Sequence, residues 1–450
     1  MKDTLLPLSE FTQRRQRFFD QMVDNSMAVF SANKEVTRSN DTEYPFCQNK
    51  NFYYLTGFNE PEAILVMVKS QASKAPQAIL FCLPKDPIAE VWHGKRVGEV
   101  SAKQDYGFDQ SYVLAELDTL IFEYFNQSST LYFCRGLFCG GHGESFDQQV
   151  YQWLDAAKAK VRQGYKAPSQ IIDCQNLIEE LRLIKSADEL SIMRKANEIS
   201  GNAHQRAMEK TTAGKFEYQI EAEILHEFAS NGARFPAYNS IVAGGDNANI
   251  LHYTNNDQVL NNDDLLLIDA GGELAGYAAD ITRTFPVNGK FSEPQQLLYQ
   301  LVLDAQEQCI QAIKPEQTLG NLNQLCCEVL TKGLLELGIL TGDYQTLLAE
   351  KACKKYFIHG LGHWLGLDVH DVGDYHMSDK KQTRPFEKGM VMTIEPGLYI
   401  PLDDESVDDK WRGIGIRIED NIAVTDQGYE NLTVNAPKSV EEIEQLMAKG

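Results

Sequence analysis

Basic residues are scarce in this sequence. Its 450 residues carry 42 Lys and Arg against 64 Asp and Glu, a formal net charge of −22. Nucleic-acid binders neutralise phosphates with a basic face, and proteins that dock on anionic membranes need clustered cations. Neither class fits; the one dense basic cluster is short, Arg14, Arg15 and Arg17. Long apolar runs are missing too. Apolar runs such as Ala63–Val68 and Leu265–Ile268 are of strand length, far below the roughly 18 residues that cross a bilayer. The stretch from Met1 to Arg15 holds no apolar core of signal-peptide length. A soluble, cytoplasmic protein is expected.

Cysteine is thinly spread: nine residues from Cys47 to Cys353, an odd number, with no Cys-x-x-Cys. Cys134 and Cys139 have no second pair to complete a zinc site, and the adjacent Cys326 and Cys327 cannot easily chelate one ion. Reduced, mostly buried thiols are expected. There is no repeat of fixed period and no low-complexity tract. Hydrophobic residues at 43% and charged residues at 24% are ordinary globular usage, and the length allows two or three domains.

The first third reads as an α/β lobe. Phe11–Met22 has helical spacing, and Ala28–Phe30, Ala63–Val68, Ala78–Cys82 and Thr130–Phe133 are short apolar runs bounded by breakers, hence buried strands. The pattern changes after Ile171-Ile172-Asp173, which puts a boundary near 172 and gives domains 1–172 and 173–450. Beyond it, Leu177–His204 is amphipathic and breaks near Ser186, and a second helix runs from Glu217 to Phe228. From Ile241 onward strands turn at glycine-rich corners, with helices at Gln295–Ile313 and Leu319–Leu337 between them.

The chemistry concentrates in this second part. Three histidines fall within His359-Gly-Leu-Gly-His363-Trp-Leu-Gly-Leu-Asp-Val-His370. That run is rich in glycine and poor in helix formers, as a backbone that must approach something closely requires. An Asp ends the apolar strand Leu265–Asp269, and Asp280 follows eleven residues later; glycines between them permit a reversal, so that the two strands pair antiparallel and the carboxylates face each other. An Asp serving a turn is the plain alternative for either residue alone. Glu395 ends another apolar strand, Val391–Glu395. In Gly415–Asp420, period two puts Arg417 and Glu419 on one face, where a structural salt bridge between them is the simple reading. Together Asp269, Asp280, His363, Glu395 and Glu419 make four carboxylates and one imidazole. Four negative charges balance two divalent ions, and this hard donor set suits manganese better than a thiolate-type zinc site. Two such ions can polarise a carbonyl for hydrolysis without a Ser or Cys nucleophile.

The order Asp, Asp, His, Glu, Glu, with its spacings of 11 from Asp269 to Asp280, 32 from His363 to Glu395 and 24 from Glu395 to Glu419, resembles the metallopeptidases of the pita-bread fold, and within them the aminopeptidase P group. The likeness extends through Glu35–Ser39, Glu43–Pro45, Tyr54–Ala63, Ile250–Thr254 and Asp280–Gly289, nearly the whole chain. It implies an N-terminal α/β lobe followed by a C-terminal pita-bread catalytic domain. It also implies release of the first residue from peptides with proline in second position, by attack of a metal-bridging hydroxide. Asp269 and Glu419 would bridge two divalent ions, by preference Mn2+, with Asp280, His363 and Glu395 completing the set and Glu395 shuttling a proton. His252, His359 and His370 would line the substrate pocket, and Arg417 would support the site. Tyr399 sits in the strand after Glu395-Pro-Gly. A homo-oligomer, dimer or tetramer, is implied, with Trp92 matching a front-lobe tryptophan in a group whose neighbouring lobes close the pocket. The rivals are a prolidase-like dipeptidase, against which the 24-residue gap between the glutamates argues, and a non-catalytic pita-bread binding protein, against which the intact five-residue set argues.

Overall fold

The computed structural model describes residues 5–70, 75–136, 145–377 and 382–449; Cys139 and the first four residues of the N-terminal stretch lie outside that range. The chain forms two compact units, Met1–Arg182 and Leu183–Gly450.

The first unit is built on a six-stranded mixed sheet. Its central strands Ser26–Ser31, Ile64–Lys69 and Gln77–Cys82 pair antiparallel. Gln110–Val113 is added in parallel at one edge, and Thr130–Phe133 and Gln170–Asp173 at the other. The central apolar runs are buried at nearly every position, so both faces of the sheet are covered, as uninterrupted apolar strands require. Helices Leu117–Asn126 and Phe146–Ala159 place Ile121, Phe125, Val150 and Leu154 against Val29, Val66, Phe81 and Leu131. Helix Leu8–Gln21 carries the basic cluster, but Arg14 and Arg15 are buried. Arg14 pairs with Glu10 at 3.0 Å and lies over the ring of Tyr54, and Arg15 donates to the carbonyl of Leu55. Two of the three arginines thus serve the interior of the lobe.

The two units divide ten residues past position 172 (182 − 172 = 10). Strand Gln170–Asp173 is bonded along Thr130–Phe133, and the helix that follows, Gln175–Leu183, is tied to the first unit by Tyr54 Oη to the Leu181 carbonyl (2.8 Å) and by Arg182 to Asn51 Oδ1 (2.7 Å). The composition shift near 172 marks an edge strand, exposed at Gln170, Ile171 and Asp173 and half-buried at Ile172.

The second unit begins at Ser186, which breaks the amphipathic pattern by capping the 24-residue helix Ala187–Lys210; its hydroxyl accepts from Glu189 N–H and the Glu189 carboxylate accepts from Ser186 N–H. Helices Glu217–Ser230, Glu293–Gln311 and Leu319–Glu336 accompany it. Cys326 and Cys327 are buried in the last of these. Strands Ile241–Gly244, Leu265–Asp269 and Thr282–Pro286 form one antiparallel sheet. Val391–Ile394, Asp420–Val424 and Tyr429–Asn431 form another, and Gly397–Ile400 pairs with Ile414–Arg417. No helix of the described residues is long and apolar enough to cross a membrane.

Candidate active site

Strand Leu265–Asp269 pairs antiparallel with Thr282–Pro286, with Asp269 opposite Thr282. The reversal between them is not the expected tight glycine turn. The chain leaves the sheet and forms a separate hairpin, Leu274 opposite Tyr277, with Ala275 and Gly276 both at positive φ, the backbone that a two-residue hairpin loop demands. It then returns so closely that a Cβ on Gly271 would sit 1.7 Å from the Ala279 carbonyl oxygen. That approach brings Asp280 back beside Asp269.

The histidine-rich run approaches a strand in the same way. Thr393 N–H donates to the His363 carbonyl (2.9 Å), Glu395 N–H to the Leu361 carbonyl (2.8 Å), and His363 N–H to Thr393 Oγ1 (3.0 Å). A Cβ on Gly362 would lie 2.0 Å from the Thr393 carbonyl oxygen. Gly362 is therefore what lets His363 reach Glu395.

The two glutamates sit at breaks. Val391–Ile394 pairs with Asp420–Val424, whereas Gly397–Ile400 pairs with Ile414–Arg417. Both hairpin arms change sheet at one level, Glu395-Pro396 on one and Ile418-Glu419 on the other. The alternation read through Gly415–Asp420 is thus not one continuous strand, yet Arg417 and Glu419 do share a face, because both line the same cavity. They form no direct ion pair. Arg417 Nη2 donates to Asp269 Oδ2 at 2.6 Å; its Nε donates to Thr282 Oγ1 (3.0 Å), and Thr282 passes its own hydrogen to Glu419 Oε2 (2.7 Å).

The cavity, of about 560 Å³, collects Asp269, Asp280, His363, Glu395, Glu419, His252, His359, His370 and Arg417 on its wall. All nine site residues expected from the sequence are there. Asp280, His363 and Glu419 each offer a ligand atom within 4.8 Å of the others. His363 Nε2 is 3.4 Å from both Asp280 Oδ2 and Glu395 Oε1. Burial pushes the carboxyls of Glu419, Asp280 and Glu395 upward, Glu395 to about 7, and mutual repulsion adds to each. Burial opposes the charged form of His363, but Asp280 and Glu395 outweigh it and raise that imidazole to about 9. Even with Arg417 and a protonated His363 counted, four ionised carboxylates, Asp280 and Glu419 buried and Asp269 and Glu395 partly so, would leave a surplus of negative charge, the condition that a bound cation relieves. The donor set, oxygens with one nitrogen and no thiolate, fits divalent metal.

His359 is used on both ring nitrogens. Nδ1 faces the Gly360 carbonyl at 2.7 Å, which can only accept, so Nε2 is left to accept from Tyr399 Oη at 2.8 Å. Burial, then Arg417, lower its pKa to about 4, keeping it neutral. Tyr399 Oη in turn accepts from Arg417 Nη1 (2.9 Å). His252 and His370 are exposed on the cavity wall, and the ring of His370 stands 4.2 Å from that of His363.

Among the polar residues near the site that carried no expectation, three bond directly to its carboxylates. Tyr238 Oη lies 2.5 Å from an oxygen of both Asp269 and Asp280; its single proton satisfies only one of them. It precedes the strand Ile241–Gly244 in an irregular stretch without a periodic signal. Thr393, which bonds His363 N–H and Glu395, and Thr282 are fully buried polar side chains.

An α/β lobe ahead of a pita-bread domain, with carboxylates and a histidine gathered in the cleft of the latter, defines a metallo-aminopeptidase. The chain belongs to metallopeptidase family M24, whose model matches residues 191–426, and it carries the aminopeptidase P N-terminal domain over residues 11–132. It is 45% identical to the Xaa-Pro aminopeptidase of Haemophilus influenzae over 98% of both chains. Zinc-substituted Escherichia coli aminopeptidase P in complex with product is 44% identical, with a TM-score of 0.95 over 99% of each chain. Proline aminopeptidase P II from Yersinia pestis is 45% identical, with a TM-score of 0.95 over 99% of this chain and 100% of the other.

Proposed function

We propose that the protein releases the N-terminal residue from peptides with proline in second position. The observation that carries this reading is the convergence of four carboxylates and one imidazole in one cavity, on a chain similar throughout its length to aminopeptidases of that specificity. Asp269, Asp280, His363, Glu395 and Glu419 would hold two divalent ions, Mn2+ by preference, with Asp269 and Glu419 shared between them. When bound, such ions supply Lewis acidity toward the peptide carbonyl and make water acidic enough to react near neutral pH.

The side chains do the rest. Glu395, held by Thr393 Oγ1 at 3.1 Å, takes a proton from the attacking water and returns it to the departing proline nitrogen. Arg417 fixes Asp269, Thr282 and Tyr399 at once, so the carboxylates keep their places before substrate arrives. His252 and His370 present their rings to the peptide. His359, occupied on both nitrogens, acts through Tyr399, whose hydroxyl it orients.

The test is a parallel digestion of Xaa-Pro-Yaa tripeptides and Xaa-Pro dipeptides by manganese-loaded protein, with a chelator control. Tripeptide cleavage lost with chelator is expected. Cleavage confined to dipeptides would make it a prolidase-like enzyme, and cleavage of neither by metal-loaded protein would make it a binding protein.

The protein also assembles as a homo-oligomer in this reading. Helix Pro87–His93 buries none of its residues; Trp92 and Val91 are each 80% exposed and Ile88 76%, and contiguous apolar surface of this kind marks interfaces. Trp92→Glu is expected to lower the sedimentation mass from dimer or tetramer to a smaller species; a wild-type monomer at micromolar concentration refutes the assembly. A reducing, cytoplasmic location fits the free thiols, including Cys134 and Cys174, whose Sγ atoms lie 3.7 Å apart in a thiol hydrogen bond rather than a disulfide. Recovery in a periplasmic or secreted fraction would contradict it.

A further inference from the structure

Glu217 is fully buried and has no cationic partner among the described ion pairs. Its carboxylate instead receives four hydrogen bonds. Oε1 accepts from Gly244 N–H (2.8 Å) and Asn247 Nδ2 (3.0 Å); Oε2 accepts from Tyr253 Oη (2.7 Å) and Gln258 N–H (2.9 Å). All four donors lie between residues 244 and 258, the segment that carries Leu251, His252 and Thr254 into the cavity wall. Burying a carboxylate is costly unless each lone-pair direction is met, so a charge with every bond on one loop holds that loop in one shape.

The same loop is also fixed near its start, where Asp246 Oδ1 accepts from Leu402 N–H (3.0 Å) and Asn249 Nδ2 donates to the Ile400 carbonyl (3.2 Å). Asn256 clips its far end to Val242 N–H and the Ser240 carbonyl. The ring of Tyr253 packs with Ile241, Leu267 and Tyr399, while its hydroxyl ends on Glu217. His252, the residue before Tyr253, is exposed, and its side chain makes no hydrogen bond to another of the described residues. Its position is therefore set by the backbone that Tyr253 and Glu217 pin down.

We infer that Glu217 is a positioning residue for His252, acting through Tyr253 and the 244–258 loop; as a statement about catalysis this rests on the aminopeptidase reading above. In Glu217→Gln one oxygen becomes an NH2 that cannot accept, so it opposes two of the four donors. The variant is expected to retain its metal content and circular dichroism while kcat/KM for an Xaa-Pro-Yaa tripeptide falls about tenfold or more. Deuterium exchange should quicken in peptides covering 244–258 and stay unchanged in those covering 265–286. Because Glu217 acts through His252, the effect should largely vanish when both proteins carry His252→Ala. Tyr253→Phe, which removes one donor and introduces none, should show the same coupling at smaller amplitude, and it decides the matter if Glu217→Gln does not fold. Full activity in folded Tyr253→Phe or Glu217→Gln, or losses that simply multiply with that of His252→Ala, would overturn the inference. If metal-loaded wild type cleaves no Xaa-Pro peptide, the aminopeptidase reading fails instead. The exchange data then judge the anchoring alone: unchanged exchange at 244–258 in the variant overturns it.

Discussion

Glu419→Gln is expected to lower kcat/KM by about a thousandfold or more and to cut the metal bound per chain from two ions to one or none. Glu419 is 2% exposed and receives a bond from Thr282; an amide keeps that bond and nearly the same volume, so the change is one of charge and ligand strength. Asp280, Glu395 and Asp269 all repel the Glu419 carboxylate. Removing it relieves the metal-free fold, whose melting temperature should stay level or rise. In wild type, added Mn2+ should raise the melting temperature by mass action; in the variant that rise should largely disappear. Inductively coupled plasma spectrometry, thermal melts with and without Mn2+, and tripeptide kinetics check the three parts. A variant that keeps two ions and wild-type turnover would sink the assignment of Glu419 as a shared ligand.

The site residues were legible because a buried charge stands out in an apolar strand. Asp269 and Glu395 each end a run of buried aliphatics, and no packing argument explains them there. The glycines around His359 and His363 announced a close backbone approach, and Gly362 makes it against Thr393. What the sequence hid was pairing. Alternation continues through Ile418, so nothing along the chain reveals that Arg417 and Asp420 belong to different sheets; the break shows only when both partner strands are placed. Arg417 and Glu419 looked like a pair by spacing, but Asp269, distant in sequence, is nearer to Arg417. Tyr238 could not be found, since a tyrosine in an irregular segment has no periodicity to mark where its hydroxyl ends. In the first unit, Arg14 and Arg15 read as a surface cluster because charge alone does not tell that carbonyls of Tyr54 and Leu55 wait for them.

Removal of metal should abolish turnover and leave a fold whose deficit grows with pH. In the metal-free pocket Glu395 titrates at about 7, against roughly 4.3 for an unhindered Glu. The folded state therefore holds that proton longer than the unfolded chain does, and stability falls as pH rises from about 4.3 to 7. Glu419 and Asp280 are shifted in the same direction. His363 titrates at about 9, against about 6.5 when unfolded; the stability its charged form gives is fully present below about 6.5 and is lost as pH rises through 9. All four contributions thus decline together with rising pH. Metal binding has the opposite preference, since its ligands must be deprotonated. Groups outside the pocket titrate alike with and without metal, so the difference between the two melting curves isolates the cluster. The gain in melting temperature on adding Mn2+ to chelator-stripped protein is expected to widen from pH 6.5 to pH 9. A gain that stays constant or shrinks over that range would mean that the four carboxylates and His363 do not share their charge with a bound cation.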